Sequence, residues 1–138
     1  MAKYHKKYAF TVEIDGIESA AFEKCSALKF TIDYSEHQEG GAVSATKEPG
    51  FVKYDDVSLE RGLTDNEDLY NWAKLYRDGG EQPKDMAIVQ KDRAGNELNR
   101  WNCINAQVKE FEVGPWDNKS SEAAIEKIVL VIEGFEKA

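Results

Sequence analysis

Apolar residues recur at every second position in several separate stretches of this chain. A period of two marks a β-strand with one face in a core and the other in water. Tyr8, Phe10, Val12 and Ile14 alternate with Lys7, Thr11 and Glu13, and Leu28, Phe30, Ile32 and Tyr34 alternate with Lys29, Thr31 and Asp33. In each stretch the apolar set is expected to face the core. Val57 and Leu59 alternate with Ser58 and Glu60 before Arg61-Gly62 closes a third stretch, and Met86 to Gln90 reads as a fourth. Leu98 to Val113 is longer, and its alternation slips near Asn105, which predicts a bulge or a bend. From Ile125 to Phe135, Glu126, Ile128, Leu130 and Ile132 oppose Lys127, Val129 and Val131. Both sets are apolar near the middle, as in a central or doubly covered strand.

One segment has the other period. In "TDNEDLYNWAKLYRDGG", Leu69, Trp72, Ala73 and Tyr76 form an apolar stripe at helical spacing. Thr64 and Glu67 have capping-box spacing at its start, and Gly79-Gly80 offers a left-handed cap at its end. Asp15-Gly16 predicts a tight reversal, "DRAGNE" a hairpin connection and Gly114-Pro115 a turn. At 138 residues, with no internal repeat and no Pro- or Ser-rich linker, the chain reads as a single domain spanning 1–138. The predicted class is mainly β: a small β-barrel or sandwich with one flanking α-helix and a long projecting loop.

The formal charge of -8 argues against a duplex nucleic-acid binder, which would need cations for phosphates. No stretch approaches the ~20 apolar residues of a membrane span, and the basic start lacks the apolar run of a secretory signal. Cytoplasmic synthesis without membrane insertion is the expectation. Cys25 and Cys103 belong to no CxxC pair and are expected as buried reduced thiols. His5 and His37 lack partners at metal-ligand spacing, and adjacent Asp55-Asp56 would point to opposite faces of a strand. Thr46-Lys47 after Gly40-Gly41 has the wrong order for a phosphate loop. Trp72, Trp101 and Trp116 are expected in the core. No catalytic set, cofactor or metal is predicted, so the chain is not read as an enzyme.

The connection "QEGGAVSATKEPGFVKY", from Gln38 to Tyr54, is long for a domain of this size. Gly40 and Gly41 permit a sharp departure from a strand, Pro49 fixes φ and lacks a donor, and Gly50 permits the return. Between them Ala42, Val43, Ser44, Ala45 and Thr46 form a small, nearly uncharged run. Such a run suits either an arm lying on a neighbouring molecule or a solvent-exposed Ω-loop.

"EHQEGG", "PGFVKYDDVSLERGLTDNEDLYNW" and the closing "IEKIVLVIEGFE" resemble, in that order, the inner tail-tube proteins of contractile phages and phage-derived contractile injection systems. The likeness covers nearly the whole chain and is most specific at Glu39-Gly40-Gly41, Pro49-Gly50, Lys53-Tyr54, Leu59, Arg61-Gly62 and Trp72. It implies a small β-barrel, six copies to a ring, and rings stacked into a hollow tube inside a sheath. The implied partners are further copies, a sheath protein, baseplate and tube-terminating proteins, and an effector or DNA as cargo in the lumen. The implied life history is assembly in a bacterial cytoplasm, then residence in a virion or injection particle. Glu39 to Lys47 with Pro49, Gly50, Lys53 and Tyr54 would be the inter-subunit arm, and Asp33 and Glu60 would give the channel wall negative potential. A monomeric β-barrel holding a small ligand in its apolar interior is the alternative.

Overall fold

The computed structural model describes residues 10–17, 22–37, 40–41 and 46–138. Strands β1 (Phe10–Ile14), β2 (Lys24–Cys25), β3 (Phe30–His37), β4 (Thr46–Tyr54) and β5 (Val57–Gly62) precede helix α1 (Asp68–Arg77). Strands β6 (Lys84–Lys91), β7 (Glu97–Val113), β8 (Ile125–Val131) and β9 (Gly134–Lys137) follow it. The main sheet has the order β1-β6-β7-β8-β5-β2, with β9 also on β7, while β3 and β4 form a separate two-stranded sheet. Tyr8 and His5 lie outside the described residues.

Strand β7 carries the architecture. Its first part pairs with β6, Met86 opposite Cys103 and Ile88 opposite Trp101, and its second part pairs with β8, Val108 opposite Leu130 and Phe111 opposite Ile128. The slip read near Asn105 is a bulge there: the register shifts between Lys84 and Met86, and Asn105 takes a φ of 49°. Asparagine tolerates that region because its short amide bonds locally. The Asn105 backbone N–H donates to Asp85 at 3.2 Å and its side-chain amide donates to Glu133 at 2.8 Å, so both flanking strands hold the bend.

The last stretch is not one unbroken strand as its alternation suggests. It breaks at Ile132-Glu133, yet the Glu133 N–H donates to the Ile104 carbonyl at 3.0 Å, so β8 and β9 run along the same edge of β7. Central it is, between β5 and β7. It is not doubly covered: Ile128, Leu130 and Ile132 are buried, while Val129 is half-buried and Val131 exposed.

The inner faces of β1, β5, β6, β7 and β8 enclose one core, with Val12, Ile14, Leu59, Met86, Cys103 and Leu130 among its buried members. Helix α1 closes it with the predicted stripe: Leu69, Trp72 and Ala73 are buried. The Trp72 indole donates to the Gln82 carbonyl at 2.9 Å, and the Tyr76 hydroxyl bonds Gln107 of β7 at 3.1 Å. The capping box does not form. Glu67 occupies the N-cap without a side-chain bond, Thr64 accepts from the Asn66 N–H, and Asn66 accepts from the Asp68 N–H at 2.9 Å. Two consecutive side-chain turns therefore take up the Asn66 and Asp68 donors in place of the box. At the other end the Gly79 and Gly80 N–H groups donate to the Tyr76 and Leu75 carbonyls, as the paired glycines suggest.

On β5 the buried residues are Val57, Leu59 and Arg61, opposite Leu130, Ile128 and Glu126. The last of these pairs is ionic. Arg61 Nε donates to Glu126 Oε2 at 2.8 Å, both side chains being almost wholly buried. The guanidinium also lies 5.6 Å from the Phe22 ring centre and reaches the Asn66 carbonyl at 3.4 Å. Among the described residues its Nη1 finds no acceptor. Two charges taken out of water repay their desolvation only when paired, so losing one partner costs more than the pair contributes. Glu126→Ala is expected to lower unfolding free energy by about 3–5 kcal/mol, read as a shifted urea midpoint; a change within experimental error would show that Arg61 finds water or another partner.

Candidate assembly site

The connection between the second and third alternating stretches is mostly strand, not loop. β3 continues to His37, and Thr46, Lys47, Pro49, Gly50, Lys53 and Tyr54 all lie in β4. Gly40 and Gly41 form the turn; Glu39 and Ala42, Val43, Ser44 and Ala45 lie outside the described residues. Pro49-Gly50 disguises the strand in the sequence because both residues are usually breakers. Here they sit at an irregularity: Ile32 pairs with Val52 and Tyr34 with Pro49, so Asp33 lacks a partner in register. A Cβ at Gly50 would stand 3.0 Å from the Asp33 carbonyl oxygen, so a close backbone approach, rather than a return, selects glycine.

The expectation that Leu28, Phe30, Ile32 and Tyr34 face the core fails beyond Leu28, which is half-buried against it. Phe30 is 52%, Ile32 37% and Tyr34 59% exposed. The alternation is real, but the ribbon forms a sheet of its own, and beyond its root the apolar side is exposed among the described residues. Residues opposite each other in an antiparallel pair share a face. Phe30 with Tyr54, Ile32 with Val52, and Tyr34 with Pro49 therefore make one apolar strip. Phe51, on the other face, is 87% exposed.

At the root, the Phe30, Tyr54 and Phe135 rings lie 5.5 to 6.1 Å apart, and the Asp55 N–H donates to the Lys29 carbonyl at 3.0 Å. Aromatic contacts of this kind tie the ribbon to β9. Farther out, Lys47 stands 3.8 Å from Glu36 and His37 3.8 Å from Glu48, exposed pairs that contribute little. Among the described residues no group of His, Cys, Asp and Glu is placed to hold a metal. An isolated two-stranded ribbon is marginal in water, and a contiguous exposed apolar strip marks an interaction surface. Among the described residues neither ribbon strand pairs with a further strand, which leaves their outer edges open.

The remaining sequence candidates scatter. Asp33 is exposed on the ribbon, and Glu60 is half-buried on β5 at 4.0 Å from Lys24. Trp72 is buried and Trp101 half-buried, its indole donating to Asn99 at 3.1 Å. Trp116 departs from expectation at 71% exposed, because it sits in the loop after β7, where no periodicity governs burial. Cys103 is buried and Cys25 half-buried, both as free thiols. Sequence reasoning missed Phe51 and Val52; the signal was the alternation that resumes after Pro49-Gly50.

Along residues 6–136 the chain matches the family model of the T4-like virus tail tube protein gp19. It belongs to that family. The tail-tube subunit is a structural component of an inner tube, not an enzyme. Its fold is shared with a chain of the PVC extracellular contractile injection system, from the sheath-tube complex in its extended state. That likeness has a TM-score of 0.89 at 23% identity, covering 98% of this chain and 91% of that one. A chain of the anti-feeding prophage baseplate gives a TM-score of 0.87 at 21% identity, covering 100% and 97%. Hcp1 from Flavobacterium johnsoniae is more distant, with a TM-score of 0.64 at 13% identity and 95% of each chain covered. No curated protein sequence matches the chain.

Beside the ribbon root, burial pushes the Cys25 thiol up to about 12 and the Cys103 thiol up to about 11. At pH 8 only roughly one Cys25 in ten thousand is thiolate. A thiol raised above its unfolded value favours the folded state fully below that value, about 8.5, and loses this contribution as pH climbs to the native value. Iodoacetamide at pH 8 is expected to leave native Cys25 and Cys103 unmodified while alkylating both in urea, and alkaline destabilisation is expected between about pH 8.5 and 12. Rapid native alkylation, followed by mass spectrometry, would contradict the shielded environment.

Proposed function

We propose that six copies of this subunit close into a ring and that rings stack into a hollow tube inside a contractile sheath, with the β3–β4 ribbon reaching onto neighbouring subunits, including those of the next ring. The observation that carries this reading is the ribbon's apolar strip, left uncovered in a chain of the tail-tube family. A heterologous contact that closes by rotation makes a ring, and a second contact that does not close propagates along an axis. The ribbon together with an edge of the main sheet offers enough surface for the ~1,000 Å² of a specific interface. Within each protomer, closure of the main sheet into a small barrel is supported by one core cluster uniting Val12 of β1 with Cys25 of β2 at the opposite end of the strand order.

Sheath, baseplate and tube-terminating proteins are the partners this reading calls for. It is supported by structural likeness to chains of a sheath-tube complex, a baseplate and a terminating cap. Assembly would take place in a bacterial cytoplasm before the tube becomes part of a virion or injection particle. Inside the tube, Asp33 and Glu60 would contribute negative potential that keeps an acidic effector or DNA from adhering. Neutralising both, as Asp33→Asn and Glu60→Gln, is then expected to slow cargo release, and an unchanged rate would remove them from the lumen.

The assembly reading is tested with purified protein by light scattering and negative-stain microscopy, which should show rings or tubes. Replacing Gly40 and Gly41 by valine alters the ribbon turn, where Gly41 has a φ of 88°. The variant is expected to keep the native circular dichroism and urea midpoint of the body while forming shorter tubes. Tubes of normal length would exclude the ribbon from stacking, and wild-type protein that stays monomeric even with a baseplate nucleus would reject the tube itself.

A further inference from the structure

At the ribbon end of the core lies a cavity of about 380 Å³, walled by Phe10, Leu28, Ile88, Trp101 and Phe135. Its polar neighbours satisfy one another: Asn99 donates to Gln90 at 3.0 Å and accepts from the Trp101 indole at 3.1 Å. On its outer side the Lys137 ammonium stands 5.8 Å from the Trp101 ring centre, on an exposed residue.

The loop that follows the other end of β7 presents the complementary shape. Trp116 is 71% exposed, yet it is not loose. A Cβ at Gly114 would lie 3.0 Å from the Trp116 ring, so the indole rests directly on the glycine backbone, which takes a φ of 108° open to few other residues. The Gly114 N–H donates to the Ile125 carbonyl at 2.8 Å and closes the loop base. Asp117 follows at once, its carboxylate accepting from the Lys119 N–H at 2.9 Å. An aromatic group held in place in water, beside one negative charge, is arranged for burial elsewhere: ordering it on contact costs little.

We propose that Trp116 of one copy inserts into the cavity beneath Trp101 of the next, with Asp117 set against Lys137, forming a head-to-tail contact between subunits of the tube. Aromatic knob matches apolar cavity, and the charges beside them are opposite. The positions also fit. Trp101 lies in the first part of β7, and Trp116 follows its last residue, Val113, beyond the Asn105 bend, so cavity and indole belong to different ends of that strand. A contact between two different surfaces is heterologous, and it propagates along an axis where its rotation does not close a ring. Phe51, more exposed still at 87%, is on the ribbon rooted at the cavity end. This inference rests on the self-assembly proposed above.

The test uses the full chain. Trp116→Ala is expected to retain the wild-type urea midpoint, since the side chain is outside the core, and to raise the concentration for half-maximal assembly by about thirtyfold, as for a buried tryptophan anchor. Asp117→Lys and Lys137→Glu should each weaken assembly, and the double variant should recover most of the loss. If Trp116→Ala assembles like wild type, the indole has no such role. If it fails but the charge exchange restores nothing, the cavity beneath Trp101 is not its partner and the proposal falls. Wild-type protein that never assembles would instead reject the tube reading on which the contact depends.

Discussion

A strand of seventeen residues must serve three partners, β6, β8 and β9, and the whole body follows from how β7 does so. Strands twist, so a pairing this long cannot stay flat. The bulge at Asn105 takes up the change, letting β6 and β1 continue from one part of β7 while β8, β5 and β2 continue beside the other. The two wings enclose the core between them, and α1 fastens onto β7 through the Tyr76–Gln107 bond. Beyond the bulge, β9 returns along the first part of β7 and delivers Phe135 to the ribbon root. The placement of the ribbon is thus a remote consequence of where β7 bends.

The buried Arg61–Glu126 pair acts on the same frame in a different way. It lies in register between β5 and β8, in line with Val57–Leu130 and Leu59–Ile128. A slip of β5 by one residue would turn its apolar set to the other face and strand both charges. The pair therefore adds a penalty for wrong pairing to the ordinary preference for burying leucine and valine. Arg61 also reaches the Asn66 carbonyl just ahead of α1, so the entry to the helix is referred to the same point.

Strand identity was readable wherever one face is core and the other wet, and the bend near Asn105 was readable because the period visibly slips. The helix stripe was equally plain. Its start was not, because Thr64 and Asn66 supply two short-range acceptors whose competition with a capping box leaves no trace in spacing. Periodicity reports that a face is apolar, not what covers it. That is why Phe30, Ile32 and Tyr34 read as core when they form the uncovered strip, and why β4 was hidden behind Pro49-Gly50. Trp116 escaped for the opposite reason, since outside a regular element hydrophobicity alone says nothing about burial. The uncovered ribbon strip was therefore the least legible part of the chain, although Pro49, Val52 and Tyr54 lay inside the segment that the family resemblance singled out.

The ribbon also limits how this protein can be made. Among the described residues, a lone copy leaves the outer edges of β3 and β4 and a row of aromatic side chains uncovered, which another exposed strand can engage. Loss to such encounters rises with the standing stock of unincorporated copies, whereas capture by a growing end depends on how many ends exist. On the proposed assembly, copies supplied faster than tube ends are initiated meet one another rather than a growing end, so yield is governed by the ratio of the two supplies.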